Sequence, residues 1–210
     1  MMDDHSHTVH PTQTLAELIG SRLCHDLSNP LGAIGNGVEL IEMTGAADGP
    51  EMELIRDAVA DAQARVRFFR LAFGAAGPDQ VTSTREAAAA LTGYHRAGRI
   101  NSSWNVAPDL ARRDVKLAFL MVLCAESALP MGAELEVSHT ASGQWQVRAE
   151  APRVAMDEAL WSVLRFGPSA AGRALRPAEA QFLALHVLAE TLGVTINYVA
   201  DDGGLRMSTT

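Results

Sequence analysis

Leu23, Leu27, Leu31, Ile34, Val38 and Ile41 follow one another at intervals of 4, 4, 3, 4 and 3 residues. That spacing falls on one face of an α-helix, so this stretch reads as a long helix with a single buried stripe. The helix is written in poor helix formers. Pro30 removes an amide donor and crowds the carbonyl of Asp26, at a cost of ~3 kcal/mol unless packing compensates. Gly32, Gly35 and Gly37 each cost roughly 1 kcal/mol relative to Ala in a helix interior. Tertiary packing must hold such a segment, and locally weak helix often marks a functional position.

His25 stands opposite the stripe. At ~100° per residue it lies ~200° from Leu27 and points outward. Asn29 and Gly32, four and seven residues on, share its face. The surface around the imidazole is polar or small: Arg22, Asn29, Gly32, Ala33 and Asn36. A second protein can approach closely there.

The first helix is expected from Pro11 or Thr12 to about Met43, with Gly45 near its end. Asp48-Gly49-Pro50 is a tight connection, and Pro50 suits the first position of a second helix running to Phe73. That helix carries Ile55, Val59, Ala62, Val66, Phe69 and Phe73, spaced 4, 3, 4, 3 and 4, which is a heptad seam. A two-helix hairpin buries too little surface to stand alone. Residues 12–74 are therefore expected to form a homodimeric four-helix bundle. The alternative is that the hairpin packs on the rest of its own chain. Residues 1–11 read as a disordered lead in which His5, His7 and His10 are incidental.

Residues 75–79, within Gly74-Ala75-Ala76-Gly77-Pro78-Asp79, read as a linker. From residue 80 to 210 the pattern changes. A helix is expected over Ser83–Ala97, with Ser83 and Glu86 in capping-box spacing, and a buried one over Arg112–Ala128. Shorter helices follow over Met156–Phe166 and Pro177–Leu192, the last capped by Gly193. Strands are expected over Ile100–Val106, Ala133–His139 and Gln144–Glu150, the last two joined through Ala141-Ser142-Gly143. Two more run over Val194–Val199 and Leu205–Ser208, hinged by Asp201-Asp202-Gly203-Gly204. The whole is an α+β chain: a helical hairpin, then an α/β sandwich with helices on one face of a mixed sheet.

A net charge of -8 disfavours nucleic-acid binding through a broad basic surface. The longest apolar run, Leu117 to Ala125, is nine residues, well short of the ~20 that span a membrane. The acidic, polar N-terminus lacks a signal-peptide pattern. Two cysteines make no disulfide framework, so a reduced, cytoplasmic protein is expected. Cys24 and His25 diverge by ~100° and do not form a nucleophile pair. His95, His139 and His186 have no metal-ligand spacing. His186 and the three tryptophans read as core packing, Cys124 as inert core, and Arg65, Arg67 and Arg70 as a solvated face.

His25-Asp26-Leu27-Ser28-Asn29-Pro30-Leu31 resembles the phosphoacceptor box of dimeric histidine kinases. The longer run from His25 to Leu40, sixteen residues, resembles the alphaproteobacterial ChpT family of histidine phosphotransferases. The element order of residues 80–210 resembles the ATP-binding domain of the kinases. Its nucleotide boxes are eroded. Leu123 and Ser127 stand where the kinases carry two asparagines, and Leu123 cannot ligate Mg²⁺. Arg148-Ala149-Glu150-Ala151-Pro152 stands where an Asp and glycines are needed, and Gly167–Arg173 has no phosphate-cradle spacing.

The resemblance implies a histidine phosphotransferase with no ATP and no cofactor of its own. His25 is the phosphoacceptor, Asp26 takes its proton or fixes its tautomer, and Asn29 orients the ring or meets the phosphoryl. Arg22, one turn before, offsets the new charge. Mg²⁺ is expected from the partner receiver. The implied partners are receiver domains of a hybrid histidine kinase and of response regulators of the cell-cycle type. The alternative is a dimeric scaffold that binds receivers without transfer.

Overall fold

The computed structural model describes residues 11–44, 49–201 and 203–210. The expected lead with His5, His7 and His10, the helix end at Gly45, Asp48 and the turn residue Asp202 lie outside the described residues. Helix α1 spans Pro11–Thr44 and α2 spans Pro50–Ala72, with Pro50 in the first turn of α2. The two helices pack along their lengths.

The face that α1 turns to α2 differs from the expected stripe. Leu23, Leu27, Ile34 and Ile41 are half-buried, but Pro30 and Gly37 are buried, whereas Leu31 is 60% and Val38 43% exposed. The contacting set is thus 23, 27, 30, 34, 37 and 41, with small or compact residues where the helices come closest. A Cβ on Gly37 would sit 2.5 Å from Ile55 Cγ1. Large side chains at 31 and 38 fall on the flank instead.

On α2 the expected seam is only partly covered. Phe69 is buried and Ile55, Val59, Ala62 and Phe73 are half-buried, but Val66 is exposed. The C-terminal half of α2 also buries Phe68, Leu71 and Ala72, because it packs on two further helices, α3 (Thr84–His95) and α4 (Arg112–Glu126). Phe68 lies between Tyr94 and Phe119, with ring centroids 4.0 and 4.8 Å away. The hairpin therefore does pack on its own chain at one end. At the other end Leu31, Val38, Leu40, Met43 and Leu54 remain exposed.

The remaining strands are β1 (Val81–Thr82), β2 (Ile100–Asn105), β3 (Leu110–Ala111), β4 (Ala133–His139), β5 (Trp145–Glu150), β6 (Ile196–Asp201) and β7 (Gly204–Thr209). The five-stranded sheet has order β2-β4-β5-β7-β6, with only β2 and β4 parallel. Its alternation is regular. Val137, Val147 and Met207 align across three strands and face the core, while Glu136, Arg148 and Arg206 align on the open face.

Helix α4 supplies the centre of the core, with every residue from Leu117 to Ala125 buried. Helices α5 (Glu158–Phe166) and α6 (Ala180–Leu192) pack against each other, and a 3₁₀ turn at Pro177–Glu179 leads into α6. Ser83 caps α3, its hydroxyl accepting from the Glu86 amide at 3.1 Å. The pairing of β1 with β3 was not foreseen, since each strand has only two residues.

The tryptophans pack as expected, Trp104 against Trp145 and Trp161 against Phe182. Cys124 is buried, and burial holds its thiol well above the ordinary range. His186 packs over Gly167, where φ of +78° and an Nε2 atom 3.1 Å from a would-be Cβ both demand glycine. No helix among the described residues is long and apolar enough to cross a membrane.

Candidate functional site

His25 sits in the middle of α1 with its imidazole 80% exposed. Nδ1 lies 3.1 Å from Oδ1 of Asp26. Neighbours in a helix do not ordinarily face each other, so this contact requires the carboxylate to be held across the helix surface. Asp26 is only 21% exposed, and its Oδ2 is 3.4 Å from Nε of Arg22, one turn back. With Nδ1 directed at a carboxylate, a neutral imidazole carries its proton there, and Nε2 is left with its lone pair toward solvent.

The local helix is adapted to this. Pro30 has no amide proton for the carbonyl of Asp26. Ser28 donates its hydroxyl to the carbonyl of Cys24 at 2.6 Å. Asn29, Gly32 and Asn36 are exposed and Ala33 is half-buried. Beyond its chain neighbours and its own helix backbone, no described residue lies within 4 Å of a Cβ built on Gly32.

Arg22 departs from its expectation. It was placed on the partner-facing surface, but its side chain is only 11% exposed and turns toward the second half of the chain. Nη1 donates to the carbonyl of Ala178 at 3.1 Å and to Oε1 of Gln181. The reason is packing: Leu15, Leu18 and Ile19 of α1 lie with Ala180 and Leu183 of α6, which draws the next polar residue of α1 into the same contact.

The turn that presents Ala178 and Gln181 is firmly built. Arg173 grips the Glu179 carboxylate with bonds of 2.7 and 2.8 Å, and the backbone amide and Nε of Arg176 donate to it at 2.8 Å each. Burial alone would raise the Glu179 carboxyl, but the bonds from Arg173 and Arg176 outweigh it and hold the group at about 2. Sequence reasoning missed Gln181. The signal was a lone amide within the apolar run Ala180–Leu185, a buried polar group in need of a partner.

Behind Arg22 and Asp26 lies a second polar layer. Tyr94 donates its hydroxyl to Glu126 at 3.4 Å, and Arg65 is bonded to Asp61 at 2.9 Å with its guanidinium over the Tyr94 ring. Arg65 is thus half-buried and paired rather than part of a solvated face. Burial raises the Glu126 carboxyl, an effect that the cation of Arg22 opposes.

The expected nucleotide positions have other roles in the fold. Leu123 is buried in the core and Ser127 bonds its hydroxyl to the carbonyl of Cys124 at 2.6 Å. A cavity of about 410 Å³ on the open sheet face is lined by Arg148, Glu150, Asp201 and Arg206, with no residue of α1.

The family model "Histidine phosphotransferase C-terminal domain" matches residues 84–204. The protein phosphotransferase ChpT of Brucella abortus (strain 2308) is 42% identical over 125 residues, 59% of this chain and 59% of that protein. The matched region thus spans about three-fifths of that curated relative. Among solved structures, a bacterial phosphotransferase superposes with a TM-score of 0.79 at 29% identity, covering 93% of this chain and 95% of that one.

Proposed function

Because this chain belongs to the histidine phosphotransferase family, we propose that it relays a phosphoryl group through His25 between receiver domains. An upstream receiver, that of a hybrid histidine kinase, brings a phospho-aspartate. Nε2 of His25 attacks the phosphorus, the aspartyl P–O bond breaks, and an N–P bond forms. The aspartate leaves as a carboxylate. The step then runs in the other direction on a second receiver, that of a response regulator: its aspartate attacks phosphorus and His25 leaves as neutral imidazole.

One observation carries this reading: Nδ1 of His25 meets Asp26 while the ring stands exposed on a helix face. Asp26 accepts from Nδ1–H and stabilises the positive charge that the ring gains on attack. Asn29 lies on the approach of the incoming phosphoryl. Both transfers approximate in-line displacement, so alignment and charge neutralisation do most of the work. Mg²⁺ belongs to the receiver and would neutralise the phosphoryl oxygens there. With Leu123 and Ser127 in place of metal-binding asparagines, the reading contains no ATP step. Gly32, Ala33 and Asn36 supply the surface on which the receiver sits, and the protein works in the cytoplasm.

Residues 12–74 act as the phosphotransfer and dimerisation unit, with 75–79 as linker and 80–210 as the degenerate ATP-domain-like sandwich. The exposed Leu31 and Val38, seven residues apart on α1, fit a second copy of the hairpin, which would complete a four-helix bundle.

The test is a labelled phospho-receiver freed of its kinase. Acid-labile label is expected on the wild-type chain and none on His25→Ala. Intact receiver binding without label on either protein would favour the scaffold alternative.

A further inference from the structure

Resting on the reading above, we infer that Gln181 is a positioning residue for the phosphoacceptor, acting through Arg22 on Asp26. The second half of the chain thereby sets which nitrogen of His25 is free to attack.

The argument starts from Asp26. A carboxylate on the surface of a helix has several rotamers of similar energy. Only one brings Oδ1 to the ring of its immediate neighbour, at 3.1 Å. The group beside its other oxygen is Arg22, with Nε 3.4 Å from Oδ2. Nε of Arg22 is buried and makes no hydrogen bond, so its contact with Oδ2 of Asp26 is one of charge.

An arginine side chain is itself mobile and loses rotamer freedom when it is fixed. Arg22 is fixed from the far side, where Nη1 is held by the carbonyl of Ala178 and Oε1 of Gln181. Gln181 is 1% exposed, so its carbonyl has no water to turn to. The Ala178 carbonyl sits in the turn that Arg173, Arg176 and Glu179 lock together. The connected path runs from the Ala178 carbonyl of that locked turn and from Gln181 to Arg22, Asp26 and His25. The contacts of Arg22 are charge-assisted, and the path ends on the exposed ring of His25.

A shift of α6 against α1 would therefore be felt as a change in the imidazole, not merely as loosened packing. The arrangement gives the ATP-domain-like half a task that needs no nucleotide. The His25 ring reports it directly, because the proton on Nδ1 exists to be donated to Asp26.

The experiment uses the full chain with ¹⁵N-labelled histidine. Long-range ¹H–¹⁵N spectra at alkaline pH read the tautomer of His25, and uptake from a phospho-receiver reads the rate. Wild type is expected to be mainly Nδ1-protonated. Gln181→Met, similar in volume but without the acceptor, is expected to shift the ring toward a mixture of tautomers and to slow uptake about tenfold. Gln181→Glu restores an oxygen for Arg22 and is expected to restore both.

If Gln181→Met does not fold, Arg22→Lys carries the test. It keeps the charge but loses the fork that reaches both halves, and the same tautomer shift is expected. A folded variant with the wild-type tautomer would make Gln181 a packing residue and overturn the inference, whatever its rate. Label on His25→Ala would instead overturn the transfer reading, leaving the tautomer result to stand on its own.

Discussion

Asp26 holds the Nδ1 side of His25 at 3.1 Å although the two residues are adjacent in one helix. The pair meets because Arg22 draws the other carboxylate oxygen across the helix surface. Replacing Asp26 by Asn keeps the shape but removes the charge that matches an imidazolium. Initial rates of phosphoryl uptake should fall by about 10²-fold, at the low end for loss of a general base. Stability should fall by roughly 1–3 kcal/mol, since Arg22 is only 11% and Asp26 21% exposed and the cation loses its counter-charge. An unchanged rate would remove Asp26 from the chemistry.

The glycines of α1 separate packing from docking. Gly37 lies where α1 and α2 approach, and Gly37→Leu should destabilise the hairpin by roughly 1–3 kcal/mol through overpacking against Ile55. Gly32 and Gly35 have open space around them. Ala at either should stabilise the helix by about 1 kcal/mol. Gly35→Ala should leave transfer untouched, whereas Gly32→Ala should slow it by adding a methyl where the receiver approaches. Thermal melts paired with transfer rates check both halves of this statement.

Acid should weaken the fold in two steps. Burial, which leaves the ring without hydrogen-bond partners, lowers His95 from 6.5 to about 4. Between those values the unfolded chain takes up a proton that the folded chain refuses. Stability is therefore full above 6.5 and falls as pH drops through about 4, by roughly 3 kcal/mol. Glu179 acts lower down: its contribution is present above 4.5 and is lost as pH falls through about 2. Urea titrations across pH should show both windows. His95→Phe should flatten the upper one and Glu179→Gln the lower one.

The exposed flank of the hairpin should hold the dimer. Leu31 and Val38 lie one heptad apart on it, and the double change Leu31→Glu with Val38→Glu places two like charges where a second copy would pack. Light scattering should report a dimer for the wild-type chain and a monomer for the variant. A monomeric wild-type chain would leave this flank for some other partner.

The sequence made much of this legible, for reasons that particular residues show. Caps and breakers act locally, so Ser83, Pro50 and Gly193 mark their helix ends without knowledge of the fold. The β4–β5 hairpin and its turn follow from period two and Gly143. The outward face of His25 follows from helix geometry alone. The face that α1 turns to α2 was not legible: Leu31 and Val38 belong to the apolar stripe, yet the close pairing with α2 takes Pro30 and Gly37 and leaves those two on the flank. Arg22 was misjudged for a related reason. Its position on α1 is set by α1, but its direction is set by Ala178 and Gln181, more than 150 residues away in the chain. No local pattern encodes that pairing.

The most direct test passes label through the whole relay. A labelled phospho-receiver, the chain and a second, unlabelled receiver are mixed without ATP, and label on the second receiver is followed over time. Label should pass to the second receiver with wild type, appear transiently as acid-labile phosphohistidine, and stop at the first receiver with His25→Ala. Transfer to the second receiver at the wild-type rate through His25→Ala would contradict a relay through this histidine.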